Sequence, residues 1–318
     1  MNGQLDRFRR DLDRLCPGGR IGVAVSGGPD SLALLLLTSE ARPGMVEAAT
    51  VEHGLRPDSA KEAAAVAASC ARLGVPHSVI PVQVSTGSSL QAQAREARYR
   101  ALAGWATERG LSAILTAHHA DDQAETLLMR LARGAGLGGL AGVREVTRTR
   151  DAHGPSVPVI RPLLAWRKTE LVNLVSEAGL VAAVDPANSD PRHDRTRVRA
   201  LLGATSWLDP RRLAASAGHL AEAEAALSYC TRHFAAERIV ETGEALELHA
   251  NDLPRELQRR LLLLAFDQLG AGTPRGPDLD RALTCMAAGG SCTLAGLKLA
   301  GGTTWTIAPA PPRSAPGQ

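Results

Sequence analysis

The sequence predicts an α/β fold, a doubly wound parallel sheet, followed by a second, smaller and mostly helical domain. Three observations carry this. Between residues 20 and about 179, short apolar runs alternate with longer stretches of helical periodicity. A glycine turn stands between the first apolar run and the first of those helices. After about Leu208 the alternation stops and helical stretches follow one another. Strands that alternate with helices at this pitch form βαβ units around a buried parallel sheet.

The runs at 21–25, 46–51, 79–84 and 113–117 are the predicted strands. The stretches at 31–40, 59–73, 90–109, 122–132 and 166–179 are the predicted helices, with apolar spacing of three and four and few breakers. Residues 134–142 are glycine-rich and lead into a polar stretch to Pro158, which reads as a mobile loop. The run DPANSDP at 185–191 is turn-forming. Beyond it, 212–241, 257–269 and 278–288 read as helices, with short β-like runs near 293–299 and 303–307. The expected division is 1–208 for the first domain, 209–307 for the second and 308–318 for a disordered proline-rich tail.

Composition narrows the function classes. The chain is 44% hydrophobic but only 3% aromatic, so a surface that stacks many bases on rings is disfavoured. Net charge is only +3, yet six arginines fall between 192 and 212, at 192, 195, 197, 199, 211 and 212. Arginine meets phosphate through two parallel hydrogen bonds, so this cluster suits a polyanion, and a solvated arginine-rich face is the other reading. The five cysteines show no CxxC spacing, which argues against a zinc ribbon, a redox pair or a cysteine-held cluster. The odd cysteine count, the charged amphipathic N-terminus and the shortness of every apolar run point to a cytoplasmic protein with no membrane span.

In open parallel sheets ligands bind beyond the carboxyl ends of the strands. SGGPDS at 26–31 follows the first strand and opens a helix. Its glycines let backbone N–H groups approach an anion, and the helix start adds the positive end of its dipole. Ser26, Gly27, Gly28, Pro29, Asp30 and Ser31 are therefore the candidate phosphate-binding residues. Asp30 could hold Mg²⁺, orient the loop or cap the helix, as could Ser31 in that last role. The loop carries no GxxxxGK[ST] lysine, so γ-phosphoryl transfer of the kind that lysine supports is not indicated.

HHADDQAET at 118–126 follows the fourth strand. Asp122 and Glu125 are three apart and can share one helix face, where they could bind an ammonium group or Mg²⁺; alternatively Asp121 or Asp122 merely caps the helix and Glu125 completes a capping box. His118 and His119 lack a third ligand at zinc spacing. On the helix at 91–100, Gln91, Arg95 and Arg98 fall near one face, suited to phosphate or to helical ion pairs.

SGGPDS resembles the signature of the PP-loop ATP pyrophosphatases, which have a Rossmann-like fold. Taken with VEHGLRPDS at 51–59, QAQAREARYR at 91–100, the long block 116–143, RPLLAWRKTEL at 161–171 and DPANSDPRHDRTRVR at 185–199, the chain is similar to the tRNA(Ile)-lysidine synthetase family over its whole first domain. The resemblance implies ATP and Mg²⁺ as cofactors, and as partners L-lysine and a tRNA(Ile) with a CAU anticodon. It implies adenylation of O2 of the wobble cytidine with loss of pyrophosphate, then attack of the lysine side-chain amine on C2 with loss of AMP. It places Asp30, Glu52, Arg95, Arg98 and His118 in catalysis, Asp122 and Glu125 on lysine, and Arg161, Arg195, Arg197 and Arg199 on tRNA. The second domain would help to choose the tRNA. Two positions depart from the family pattern: Glu52 stands where an Asp is usual, and Thr196 where an Asn is usual. Sulfur transfer to tRNA, and a non-catalytic nucleotide sensor, are the rival readings. A homodimer is among the assemblies the chain could form.

Overall fold

The computed structural model describes residues 2–16, 18–52, 59–83, 90–150, 154–183 and 194–311. Of the predicted features, most of the 52–59 loop, the turn at 185–191, Arg192, the side chain of Gln91 and the last residues of the tail lie outside them. The chain divides into two compact units, Met1–Ala221 and Glu222–Gln318. The division falls further along than the 208/209 expected, inside a single long helix.

The first unit opens with α1 (Asn2–Leu15), then β1 (Ile21–Ala24), α2 (Pro29–Ala41), β2 (Val46–Glu52), α3 (Ser59–Arg72), β3 (His77–Pro81), α4 (Leu90–Glu108), β4 (Ala113–Leu115) and α5 (Ala120–Ala132). It continues with α6 (Leu137–Leu140), β5 (Val146–Arg150), β6 (Ser156–Ile160), α7 (Lys168–Glu177), α8 (Asp194–Ala204) and the start of α9 (Pro210–Arg238). Six strands form one sheet in the order β3-β2-β1-β4-β6-β5. All neighbours are parallel except β5 and β6. The order reverses between β1 and β4, which makes the crevice between their carboxyl ends the place where a ligand is expected.

Helix α2 is apolar on every side, and Leu32 through Leu37 are all buried. A helix of that kind is stable only when covered all round, and α2 packs on the sheet, on α1 and on α7. Phe8, Leu12, Trp166, Leu171 and Leu174 complete that side of the core. On the other side Leu102, Trp105 and Ala106 of α4 meet Ile114, Val157 and Val159 of the sheet.

The stretch 134–158 is a correction to the sequence reading: it is not a loop throughout. It holds α6, β5 and part of β6, paired from Val146↔Ile160 to Arg150↔Ser156. Pro158 can stand inside β6 because β4 pairs with β6 only at Val159 and Ile160, beyond the residue that lacks an N–H donor.

In the second unit, β7 (Ile239–Thr242), β8 (Ala245–Leu248), β9 (Ser291–Leu294), β10 (Leu297–Ala300) and β11 (Trp305–Pro309) form an antiparallel sheet in the order β7-β8-β11-β10-β9. Helices α10 (Arg255–Gln268) and α11 (Gly276–Ala287) cover it around Leu248, Leu261, Phe266, Leu283, Leu299 and Trp305. The hairpin of β7 and β8 takes residues 239–241, which the sequence reading had left in a helix. Ala308 and Pro309 belong to β11, so the tail expected from 308 begins later. Among the described residues no helix is long and apolar enough to cross a membrane.

Candidate functional site at the switch point of the sheet

The turn after β1 is shaped by a few local bonds. Gly27 has φ +85, a left-handed conformation that favours glycine, and a Cβ there would stand 3.3 Å from Val66 Cγ2. Its carbonyl accepts from the Ala183 N–H at 2.9 Å. The Ser31 hydroxyl donates to the Gly28 carbonyl at 2.9 Å and accepts from the Ser26 N–H at 3.1 Å. Ser31 thus holds the turn closed rather than offering a free donor. Gly28 is the N-cap of α2, with no side chain to satisfy the first turn, and Pro29 follows it. The first-turn N–H groups of a helix have no partner inside the helix, and here no side chain covers them.

Asp30 lies in that first turn. Its Oδ1 is buried and has no hydrogen-bond partner among the described residues, while its Oδ2 lies 3.5 Å from His119 Nε2. His119 is the N-cap of α5 and only 3% exposed. The same Nε2 is 3.5 Å from Asp122 Oδ2, and Nδ1 is 3.6 Å from Asp121 Oδ2. Burial works against a charged ring, but the hydrogen bonds to Asp121 and Asp30 and the charges of Asp122 and Asp30 outweigh it and raise the pKa to about 10. Three carboxylates thus favour the charged form of the ring. The Asp122 N–H also reaches Nδ1, at 3.4 Å.

Asp122 does close half of a helix cap, since its Oδ2 accepts from the His119 N–H at 3.2 Å. Asp121 turns the other way and accepts from the Arg167 guanidinium at 3.1–3.3 Å and from the Lys168 N–H at 2.8 Å. Burial would raise its carboxyl, but His119, Arg167 and the Lys168 N–H hold it far below the usual carboxylate range. Asp121 therefore ties the start of α5 to the start of α7.

His118 has a different set of neighbours. Its Nδ1 is 3.2 Å from the Thr116 hydroxyl. Burial lowers its pKa to about 4, assisted by Arg161, Arg95 and Arg98 and opposed by Asp122. The ring is neutral at pH 7 and looks onto a cluster of guanidinium groups. Arg161 is 3% exposed, with its Nη1 on the Arg144 carbonyl at 2.8 Å and on the Thr147 hydroxyl at 3.1 Å. At that burial it is not a surface arginine.

Glu125, also 3% exposed, accepts from Arg195 Nε at 2.7 Å and from Arg199 Nε at 2.6 Å. Arg195 lies 3.5 Å from Asp122 Oδ1 as well. The two carboxylates assigned to lysine thus meet two arginines assigned to tRNA. Arg197 instead projects outward, with its side chain 76% exposed. Between the two carboxylates in sequence, the Gln123 amide donates to the Val143 carbonyl at 2.8 Å and accepts from the Val143 N–H at 2.7 Å. Gly142, at φ +65, leaves no room for a Cβ, which would meet Gln123 Oε1 at 2.4 Å. Glu52 ends β2, at the same edge of the sheet as the glycine turn.

Sequence reasoning missed His119, Asp121, Arg167 and Gln123. The only available signal was the position of His119 immediately before a helix, the place of an N-cap. Among the described residues no group of three or more His, Cys, Asp or Glu side chains could hold a metal. The unpartnered Asp30 oxygen nevertheless suits Mg²⁺, which typically takes one or two carboxylates and completes its shell with phosphate and water.

Residues 3–205 match the PP-loop domain family. The chain is 50% identical over 303 residues to the tRNA(Ile)-lysidine synthase of Novosphingobium aromaticivorans, covering 94% of this chain and 91% of that protein. It is 43% identical over 298 residues to the tRNA(Ile)-lysidine synthase of Zymomonas mobilis, covering 93% and 90%. Among solved structures, the U34-tRNA thiolase NcsA of Methanococcus maripaludis shares the fold, with a TM-score of 0.55 at 17% identity over 69% of this chain and 80% of that one. Both the match to the PP-loop domain and the extent of the two synthase alignments lead to one conclusion: the chain belongs to the tRNA(Ile)-lysidine synthase family.

Proposed function

We propose that the chain joins L-lysine to the wobble cytidine of a tRNA(Ile) with a CAU anticodon. In the first step O2 of the cytidine attacks the α-phosphorus of ATP and pyrophosphate leaves. In the second the lysine side-chain amine attacks C2, and AMP departs with the oxygen. The observation that carries this reading is the His119 bridge, 3.5 Å from both Asp30 and Asp122. It fixes the phosphate turn against the carboxylate pair suited to an amine, so the two substrates of the second step meet at one place.

Residues 26–31 hold the outer phosphates, with Asp30 the residue that would hold Mg²⁺. Mg²⁺, when bound, supplies positive charge to the phosphate oxygens. Arg95 and Arg98 serve the transferring adenylate, where preorganised positive charge meets charge that develops in the transition state. Glu52, at the rim, is reserved for the metal or the base. His118, neutral at pH 7, can take a proton from the attacking amine. Asp122 and Glu125 receive the cationic end of lysine. Because Glu125 already accepts from Arg195 and Arg199, the ammonium group takes the place of a guanidinium. Arg197, and Arg195 and Arg199 once released, then meet tRNA phosphate, while Arg161 stays with His118. The second unit helps to select the tRNA, and the reaction belongs in the cytoplasm, where tRNA and free lysine meet.

The test is incubation of the purified protein with ATP, Mg²⁺, labelled lysine and tRNA(Ile) bearing CAU, followed by nucleoside mass analysis. Lysine attached to cytidine, with one AMP and one pyrophosphate per attachment, is expected. A tRNA that gains sulfur or nothing would overturn the reading.

A further inference from the structure

Beside the arginines that act on His118 stands a side chain that the reaction above does not use. Tyr99 lies on α4 with the Arg95 guanidinium 5.0 Å and the Arg98 guanidinium 5.3 Å from its ring centroid. Both are within the range in which a cation is drawn to an aromatic face. Its hydroxyl is buried, and among the described residues neither it nor Nε of the buried Arg161 makes a hydrogen bond of ordinary length and angle, although Arg161 lies near enough for its guanidinium to act on the phenol. Buried polar atoms left without a well-formed hydrogen bond are uncommon in a folded protein and call for an explanation. The rest of the ring packs on the apolar cluster that includes Ala49, Ile114, Val157 and Val159, and the Thr149 hydroxyl donates to the Tyr99 carbonyl at 3.4 Å.

We propose that Tyr99 is a positioning residue, whose ring and hydroxyl hold Arg95, Arg98 and Arg161 as one charged wall facing His118. The claim about catalysis rests on the proposed function; the claim about the wall does not. A guanidinium on a flexible stem has many rotamers, and an aromatic face fixed by its own core packing removes most of them before substrate arrives. The hydroxyl is an acceptor set among three donors, so small movements of Arg161 can complete a hydrogen bond that the resting geometry leaves open. The charged groups acting on the phenol are Arg95, Arg161 and Arg98. Burial would raise its pKa, but their combined field outweighs it and lowers it below 10.

Two measurements test this, and they fail separately. The chain has two tyrosines, so Tyr229→Phe leaves Tyr99 as its only phenol. Phenolate absorbance should then show a midpoint below 10, rising in the Arg95→Gln and Arg98→Gln backgrounds. A midpoint indifferent to both substitutions overturns the wall itself, whatever the enzyme's substrate. The second measurement is AMP formation with ATP, lysine and CAU tRNA(Ile). Tyr99→Leu should lower kcat by roughly tenfold to a hundredfold, the loss expected from misplaced groups, with KM for ATP within about twofold. Tyr99→Phe, which keeps the ring, should fall between Leu and wild type. A Tyr99→Leu enzyme with wild-type kcat, or one whose loss only tracks its folded fraction by circular dichroism, overturns the positioning role. Absence of AMP from the wild type would instead reject the proposed function, and the phenol titration would still decide on Tyr99.

Discussion

Two consecutive histidines at the start of α5 are driven in opposite directions, because carboxylates around His119 outweigh its burial, whereas at His118 burial dominates and guanidinium groups add to it. The His118 consequence is measurable. With a folded pKa near 4 against 6.5 for the unfolded chain, only the unfolded state takes up this proton between those values. Stability should therefore rise with pH across that window and level off above it. In His118→Gln this part of the pH dependence of unfolding should disappear, and in the wild type the ring should still read as neutral by NMR at pH 5.5. A His118 ring that titrates near 6.5 would show that it is not buried beside the guanidinium groups as described. At this scale the sequence was legible only in part. The doublet was visible, and so were Asp122 and Glu125, but nothing in HHADDQAET distinguishes the ring that turns inward. That choice is made by the strand-to-helix turn, which places His119 at the N-cap and swings it onto Asp30, a residue 89 positions earlier in the chain.

At the scale of elements, α5 and α8 are joined by a charge exchange, with Glu125 between Arg195 and Arg199 and with Asp194 on Arg133 at 2.6 Å. If an ammonium group must displace a guanidinium from Glu125, weakening the resident pair should help the newcomer. Arg199→Gln should tighten lysine binding by about tenfold in titration calorimetry without tRNA, the worth of one hydrogen bond to a charged group. Unchanged or weaker binding would place the lysine elsewhere. This pairing was not readable beforehand, since the spacing of Asp122 and Glu125 suited a ligand and the arginines suited phosphate, and only the tertiary fold brings the two sets together. Strands β1, β2 and β4 were legible because buried parallel strands are short apolar runs, and β3, at the edge of the sheet, because it too is a compact apolar run. Strands β5 and β6 were not, because the edge strand VTRTR has a polar face and SVPVI contains a proline, so both resemble loop sequence.

For the molecule as a whole, the division into units follows two separate hydrophobic cores, one on the parallel sheet and one on the antiparallel sheet. Two thermal transitions are expected by calorimetry. ATP with Mg²⁺ should raise only the one belonging to the first unit, because a ligand stabilises the part that binds it. Leu283→Ala, at a fully buried position of the second core, should lower the other by about 2–5 kcal/mol. A single transition that responds to both changes would show that the cores melt as one. The alternation that ceases near Leu208 announced the second core, and the β-like runs near 293–299 and 303–307 fall on β9, β10 and β11, but β7 and β8, of four residues each, carry too little pattern to stand out. One further consequence comes from the amide of Gln123, which grips both sides of Val143 while standing between the two carboxylates in sequence. That grip ties the first turns of α5 to the chain's return toward the sheet, so a variant selecting for a different amine has little freedom to shift 122 or 125 themselves. Drift in amine preference across such enzymes should then be written in the arginines that oppose these carboxylates, leaving the helix that bears the carboxylates almost untouched.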